Sequence, residues 1–210
     1  MMLALKAVDI CQRQGESPQV MTEILRDDVN LAVWQRRLPV QVEDFAELVT
    51  RLDQPMSDER VIEVNEQQPP RLTGLLREAA DLEGYEGFVA DVTWLVEAFT
   101  CLLGARRVGL RLRVLDGAMC PRFHVDHVPL RLLTTYAGMG SEWLAEGHID
   151  RSRLQVAQPP VDNIQRLAMG EVALLKGEKW VGNEGAGLIH RSPATPRGEK
   201  RLLLSLDWLG

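Results

Sequence analysis

Residues 123–126 read Phe-His-Val-Asp, a second histidine, His190, lies well downstream, and Arg201 follows it closely. In extended chain, residues i and i+2 point the same way with Cα atoms roughly 6.5–7 Å apart, so His124 and Asp126 can reach one ion. His190 falls in Gly187-Leu188-Ile189-His190, which reads as a strand and can bring a third ligand from a facing wall. Two histidines and one carboxylate leave coordination positions open, which suits non-haem Fe(II) and its oxygen chemistry. A structural metal site closes those positions instead. A lone His-x-Asp is a common chance pair, so its context carries the weight. That context is a β-like run after the pair, a β-like run around His190, and Arg201 heading the apolar run Leu202-Leu203-Leu204-Ser205-Leu206. A buried arginine needs a carboxylate held through parallel hydrogen bonds, and the sequence shows no obligatory acidic partner. A small dicarboxylate beside the metal would fill that role. His127 points away from His124 and Asp126 by strand alternation, and His148 reads as a loop residue.

The elements that must position these residues divide the chain. Residues 1–104 read mainly as helix. Apolar residues at Val42, Phe45, Ala46, Val49 and Leu52, then at Leu72, Leu75, Leu76, Ala79 and Ala80, keep helical spacing. The segment from Gly87 to Leu103 is apolar over a wide face and ends at Gly104. Pro69-Pro70 marks a break, and residues 61–64 suit a short strand. Residues 105–210 read as strands, over 108–115, 130–136, 171–176, 187–190 and 201–208, parted by turns such as Pro159-Pro160 and the stretch 182–187. Period two puts Val108, Leu110, Leu112 and Val114 on one face, with Arg111 and Arg113 on the other. Helices first and strands second predict an α+β chain, one domain over 1–210, with amphipathic helices packed on an antiparallel barrel or sandwich.

Bulk properties exclude several partners. The chain has 210 residues, 45% hydrophobic and 26% charged, and a net charge of −6, which argues against a nucleic-acid surface. Three scattered cysteines (Cys11, Cys101, Cys120) do not build a disulfide framework, no run is long enough for a membrane helix, and the first ten residues do not read as a signal peptide. The expectation is a cytoplasmic protein.

The set His124-x-Asp126, His190 and Arg201 resembles the Fe(II)- and 2-oxoglutarate-dependent oxygenases. Arg131 to Tyr136 with Gly140-Ser141-Glu142 is similar to the strand and turn after the metal motif in prolyl-hydroxylase-like members. The strings Cys-Pro-Arg-Phe-His-Val-Asp at 120–126, Thr-Thr-Tyr at 134–136, Leu-Leu-Lys-Gly-Glu at 174–178, His-Arg-Ser-Pro at 190–193 and Arg-Leu-Leu-Leu-Ser-Leu-Asp at 201–207 resemble the bacterial domain-of-unknown-function family 1826. The resemblance implies helices packed on a double-stranded β-helix (a jelly-roll or cupin-like barrel) over 105–210. It implies Fe(II) held by His124, Asp126 and His190, and 2-oxoglutarate held by Arg201, with Thr134, Tyr136 and Ser205 in the cofactor pocket and Trp143 and Trp180 as further pocket residues. The activity implied is dioxygenase hydroxylation of an unidentified small molecule or protein. Several such oxygenases carry a serine two residues after the clamp arginine; here that position is Leu203, and Ser205 stands four residues on. Members of family 1826 tend to be encoded near zinc-homeostasis functions, so the alternative is a non-enzymatic zinc-binding protein on the same fold, with Cys120 as a candidate fourth ligand. A cupin-type hydrolase or isomerase is a third reading.

Overall fold

The computed structural model describes residues 9–65, 70–154 and 162–209. Pro69, the Pro159-Pro160 turn and residues 1–8 of the first segment lie outside the described residues. Among the described residues, ten strands and two α-helices follow in chain order: β1 Cys11–Gly15, β2 Val29–Trp34, α1 Val40–Arg51, β3 Ser57–Glu63, α2 Tyr85–Leu103, β4 Arg107–Leu115, β5 Leu130–Ala137, β6 Glu142–Trp143, β7 Gln165–Arg166, β8 Val172–Lys176, β9 His190–Arg191 and β10 Arg201–Trp208. Seven strands make one sheet in the order β1-β2-β8-β5-β10-β4-β3, and three make a second in the order β7-β6-β9. All pairings are antiparallel except β1 with β2.

Period two sorts the large sheet into two faces. Val108, Leu110 and Leu112 of β4, Leu202, Leu204 and Leu206 of β10, and Leu130, Leu132 and Tyr136 of β5 join α1 and α2 in one buried apolar cluster. The helices contribute Val42, Phe45, Ala46 and Val49 from α1, and Phe88, Val92, Leu95, Val96 and Phe99 from α2. A relay of rings locks them to the sheet: Phe45 to Phe88 at 4.8 Å between centroids, then Phe88 to Tyr136 at 4.8 Å. Gly104 ends α2 in the left-handed conformation at φ 58°, where a Cβ is unfavourable, and its N–H closes back on Cys101 and Thr100. The other face of the large sheet meets the small one. Leu31, Val33, Leu133, Ala173, Leu175 and Leu203 pack there with Trp143, Leu167 and Leu188.

Three expectations need correction. The first 104 residues are not mainly helical, since β1, β2 and β3 lie there and complete the large sheet. The helices-then-barrel order is therefore too simple, because strands of the first half flank those of the second half at both edges of one sheet. Residues 72–82 are not a helix. Leu76 sits at φ 45°, its N–H turned to the Asp58 carboxylate at 3.2 Å, so only a single 3-10 turn forms at Arg77–Ala79. Leu72, Leu75, Leu76 and Ala79 still enter the core, which is why their apolar spacing imitates a helix. The strand around His190 begins at His190 rather than Gly187.

Candidate metal centre

His124 lies outside the named strands but forms an isolated antiparallel bridge with His190, their backbone N–H and C=O groups exchanging two bonds of 3.0 Å. The bridge holds the two imidazoles together, with ring centroids 4.5 Å apart. Asp126 arrives from the same segment: its Oδ1 is 3.8 Å from His124 Nε2 and its Oδ2 3.4 Å from His190 Nε2. The ligand atoms of these three residues all lie within 4.8 Å of one another, an arrangement able to hold a metal ion. Among the described residues this is the one such group, and Cys120 lines the adjoining cavity without joining it.

The chemistry of the donors fits a cation. His124 Nδ1 faces the Arg122 carbonyl at 2.9 Å, and His190 Nδ1 faces the Leu188 carbonyl at 3.1 Å. A carbonyl only accepts, so both Nδ1 atoms carry the hydrogen and both Nε2 lone pairs turn toward Asp126. Burial pushes the His190 pKa below its ordinary value, with His124 and Arg131 acting in the same sense against the pull of Asp126. A neutral imidazole is the form that ligates. Asp126 is oriented by Arg131, whose Nη1 donates to Oδ2 at 2.7 Å. Arg131 in turn grips Asp207 of β10 through Nε at 2.6 Å and Nη2 at 3.1 Å. The turn after β8 secures the same loop, Glu178 N–H donating to the Asp126 carbonyl at 2.9 Å.

A cavity of about 420 Å³ opens beside the two histidines. Its wall is the inner face of the large sheet, and it includes Arg201, Leu203 and Ser205 of β10, Ser141 and Cys120. Arg201 is 1% exposed. Its Nη2 donates to Ser141 Oγ at 3.2 Å, while Nε and Nη1 have no partner among the described residues. Burial without a counter-charge pulls its pKa down to about 10. A desolvated guanidinium with two idle donors is costly unless an anion meets it.

Thus His124, Asp126 and His190 converge beside a cavity that Arg201 and Ser205 line, and four expected pocket residues, Thr134, Tyr136, Trp143 and Trp180, lie away from it. Tyr136 and Thr134 share the helix-facing parity of Leu132 on β5. Tyr136 is buried against Phe88 and donates to Asp91 at 2.6 Å, and Thr134 is fully buried beside Leu204 and Val172 in the ladder. Trp143 belongs to the core between the sheets, and Trp180 packs on the helix side, with the Lys176 ammonium 4.9 Å from its ring. His127 and His148 are exposed. The sequence reading missed Arg131, Asp207 and Ser141. Strand parity carried a signal for the first two, since Asp207 shares the inner parity of Arg201 and stands opposite Arg131 in the β10–β5 ladder.

Comparison with solved structures finds the same fold at low identity. IDO from Bacillus thuringiensis aligns with a TM-score of 0.52 and 8% identity, covering 100% of this chain and 99% of that one. The dioxygenase for auxin oxidation 1 of Arabidopsis thaliana, solved as a 2-oxoglutarate binary complex, aligns with a TM-score of 0.50 and 12% identity, covering 96% and 92%. The dioxygenase for auxin oxidation of rice gives 0.50 and 11%, covering 96% and 83%. No curated protein matches the chain. No helix among the described residues is long and apolar enough to cross a membrane. The family model described as protein of unknown function, DUF1826, matches residues 15–207, and the chain belongs to that family.

Proposed function

We propose that the chain is an Fe(II)- and 2-oxoglutarate-dependent oxygenase on a double-stranded β-helix, with His124, Asp126 and His190 as the metal ligands. One observation carries the reading: a buried arginine with idle donors, Arg201, lines the same cavity as the two histidines. A zinc-storage site needs the three ligands but has no use for a neighbouring unpaired guanidinium. An oxygenase needs both, one for the ion and one for the far carboxylate of its co-substrate. The fold shared with an auxin-oxidising dioxygenase that binds 2-oxoglutarate supports the assignment.

Within it each residue has a task. Iron and 2-oxoglutarate would activate O₂, which is the oxidant and the oxygen source for hydroxylating a C–H bond. His124 and His190 present Nε2, their tautomers fixed by the Arg122 and Leu188 carbonyls. Asp126 supplies the anionic ligand, and Arg131 limits its rotation. Arg201 receives a carboxylate through Nε and Nη1, while Ser141 retains Nη2. Ser205, on the same face of β10, offers a hydroxyl to that pocket. Leu133 and Leu203 give the wall an apolar surface that limits water at the reacting centre. The test is spectroscopic. Anaerobic addition of Fe(II) and then 2-oxoglutarate should produce a weak visible charge-transfer band, and a silent spectrum with both present would count against the chelate.

A further inference from the structure

The cavity is lined by five arginines and a single carboxylate, in a chain whose net charge is −6. Arg131 is spent on Asp126 and Asp207, Arg191 on Glu142, and Arg201 is assigned above. Arg111 and Arg113 remain, side by side on the inner face of β4. Both turn to Glu59 of the edge strand β3, with Oε1 3.1 Å from Arg111 Nε and Oε2 2.8 Å from Arg113 Nη2. One carboxylate thus bridges two guanidiniums, so their spacing already fits that group. Its hold is weak: the Glu59 side chain is 57% exposed, and ion pairs of such exposure are screened by solvent and easily exchanged. The other contact of Arg113 is the Met119 sulfur at 3.4 Å, a poor acceptor. Arg111 is anchored from behind by buried Asp207 at 2.6 Å and keeps its aim whether or not Glu59 is present.

We infer that the cavity takes a substrate bearing a carboxylate, held by Arg111 and Arg113 in the place where the Glu59 carboxylate now sits. Glu59 is then a displaceable internal stand-in, and the remainder of the substrate extends toward the histidines that line the same cavity. A volume of about 420 Å³ falls within the range of small-molecule pockets, roughly 300–1,000 Å³, which favours a small organic acid. The inference rests on the assignment of Arg201 to 2-oxoglutarate, and the test separates the two.

Hexanoate and the uncharged hexanol are titrated calorimetrically into the chain alone, and then into the chain loaded with Mn(II) and 2-oxoglutarate. Hexanoate should bind in both states and hexanol at least about tenfold more weakly, as the loss of charge-assisted bonds implies. Glu59→Gln should tighten hexanoate by about fivefold, since it removes an exposed competitor. Arg113→Ala should weaken it by about tenfold or more. Arg113 pairs only at the exposed mouth, so this variant keeps the fold where Arg111→Ala endangers it through Asp207. Binding of 2-oxoglutarate should be unchanged in both variants. Equal binding of hexanoate and hexanol, or indifference to Arg113→Ala, overturns the inference while 2-oxoglutarate binding still upholds the oxygenase. Arg113-dependent hexanoate binding without 2-oxoglutarate binding upholds the inference and removes the oxygenase.

Discussion

At the scale of single residues the centre depends on orientation as much as on identity. Asp126 meets both imidazoles and Arg131, so its charge is free to face a cation while its position is fixed from behind. Asp126→Asn keeps the shape and removes the charge. It should weaken metal binding by at least about 100-fold, the upper end of what loss of an outer partner alone produces, as measured by competition with a chelator. His190 sets an acid limit on the metal-free chain. Burial places its folded pKa below the unfolded value of about 6.5, so its contribution to stability is fully present above that pH. As pH falls below about 6.5 the unfolded chain takes up a proton that the folded chain resists, and stability should decline by up to about 1.4 kcal/mol per pH unit. Denaturant melts of wild type and His190→Gln between pH 7.5 and 5.5 should show that slope shallower in the variant; parallel slopes would assign the acid sensitivity elsewhere. The proximity of His124, Asp126 and His190, with Arg201 on the adjoining cavity, was legible in the sequence because an i, i+2 pair, a distant histidine and an arginine heading an apolar run each constrain one another. Tyr136 and Thr134 were misplaced because a resemblance in string does not fix which face of a strand a residue takes.

At the scale of elements, β4, which alternates, and the apolar runs β5, β8 and β10 were legible to within a residue or two, and so were α1 and α2. What escaped was pairing. Nothing in the local pattern of Cys11–Gly15 or Val29–Trp34 tells that these strands pair onto a sheet whose four central members lie beyond residue 106, because registers are set by long-range packing. The short strands β6, β7 and β9 hold two residues each and carry no periodicity at all. Yet β9 and the bridge to His124 are what bring the ligands together. The turn after β8 is the tightest support of that loop. A Cβ on Gly177 would lie 2.1 Å from the Val128 carbonyl oxygen and 2.6 Å from that of Asp126. Both contacts are backbone, so the metal loop must move to admit it. Gly177→Ala should cost about 2–3 kcal/mol, as overpacking does, and weaken metal binding as well. A variant with unchanged melting and unchanged metal affinity would show that the loop is not held there.

At the scale of the whole molecule, two sheets enclose a cavity and two helices brace the larger sheet from outside. The braced sheet supplies a stiff wall, and that wall carries Arg201, Ser205, Arg131 and the Arg111–Arg113 pair on one face. Rigid strands hold charged groups at fixed spacing better than loops do. Such a wall also buries the Arg201 guanidinium, whose Nε and Nη1 have no partner among the described residues. The central claim is that this buried arginine awaits 2-oxoglutarate beside a metal on His124, Asp126 and His190. Calorimetric titration of 2-oxoglutarate into the anaerobic iron form, with wild type and Arg201→Ala side by side, tests it most directly. Binding should be saturable in the wild type and lost in Arg201→Ala, while both proteins retain one iron per chain. Iron retained by the wild type with no heat from 2-oxoglutarate at millimolar concentration would contradict it.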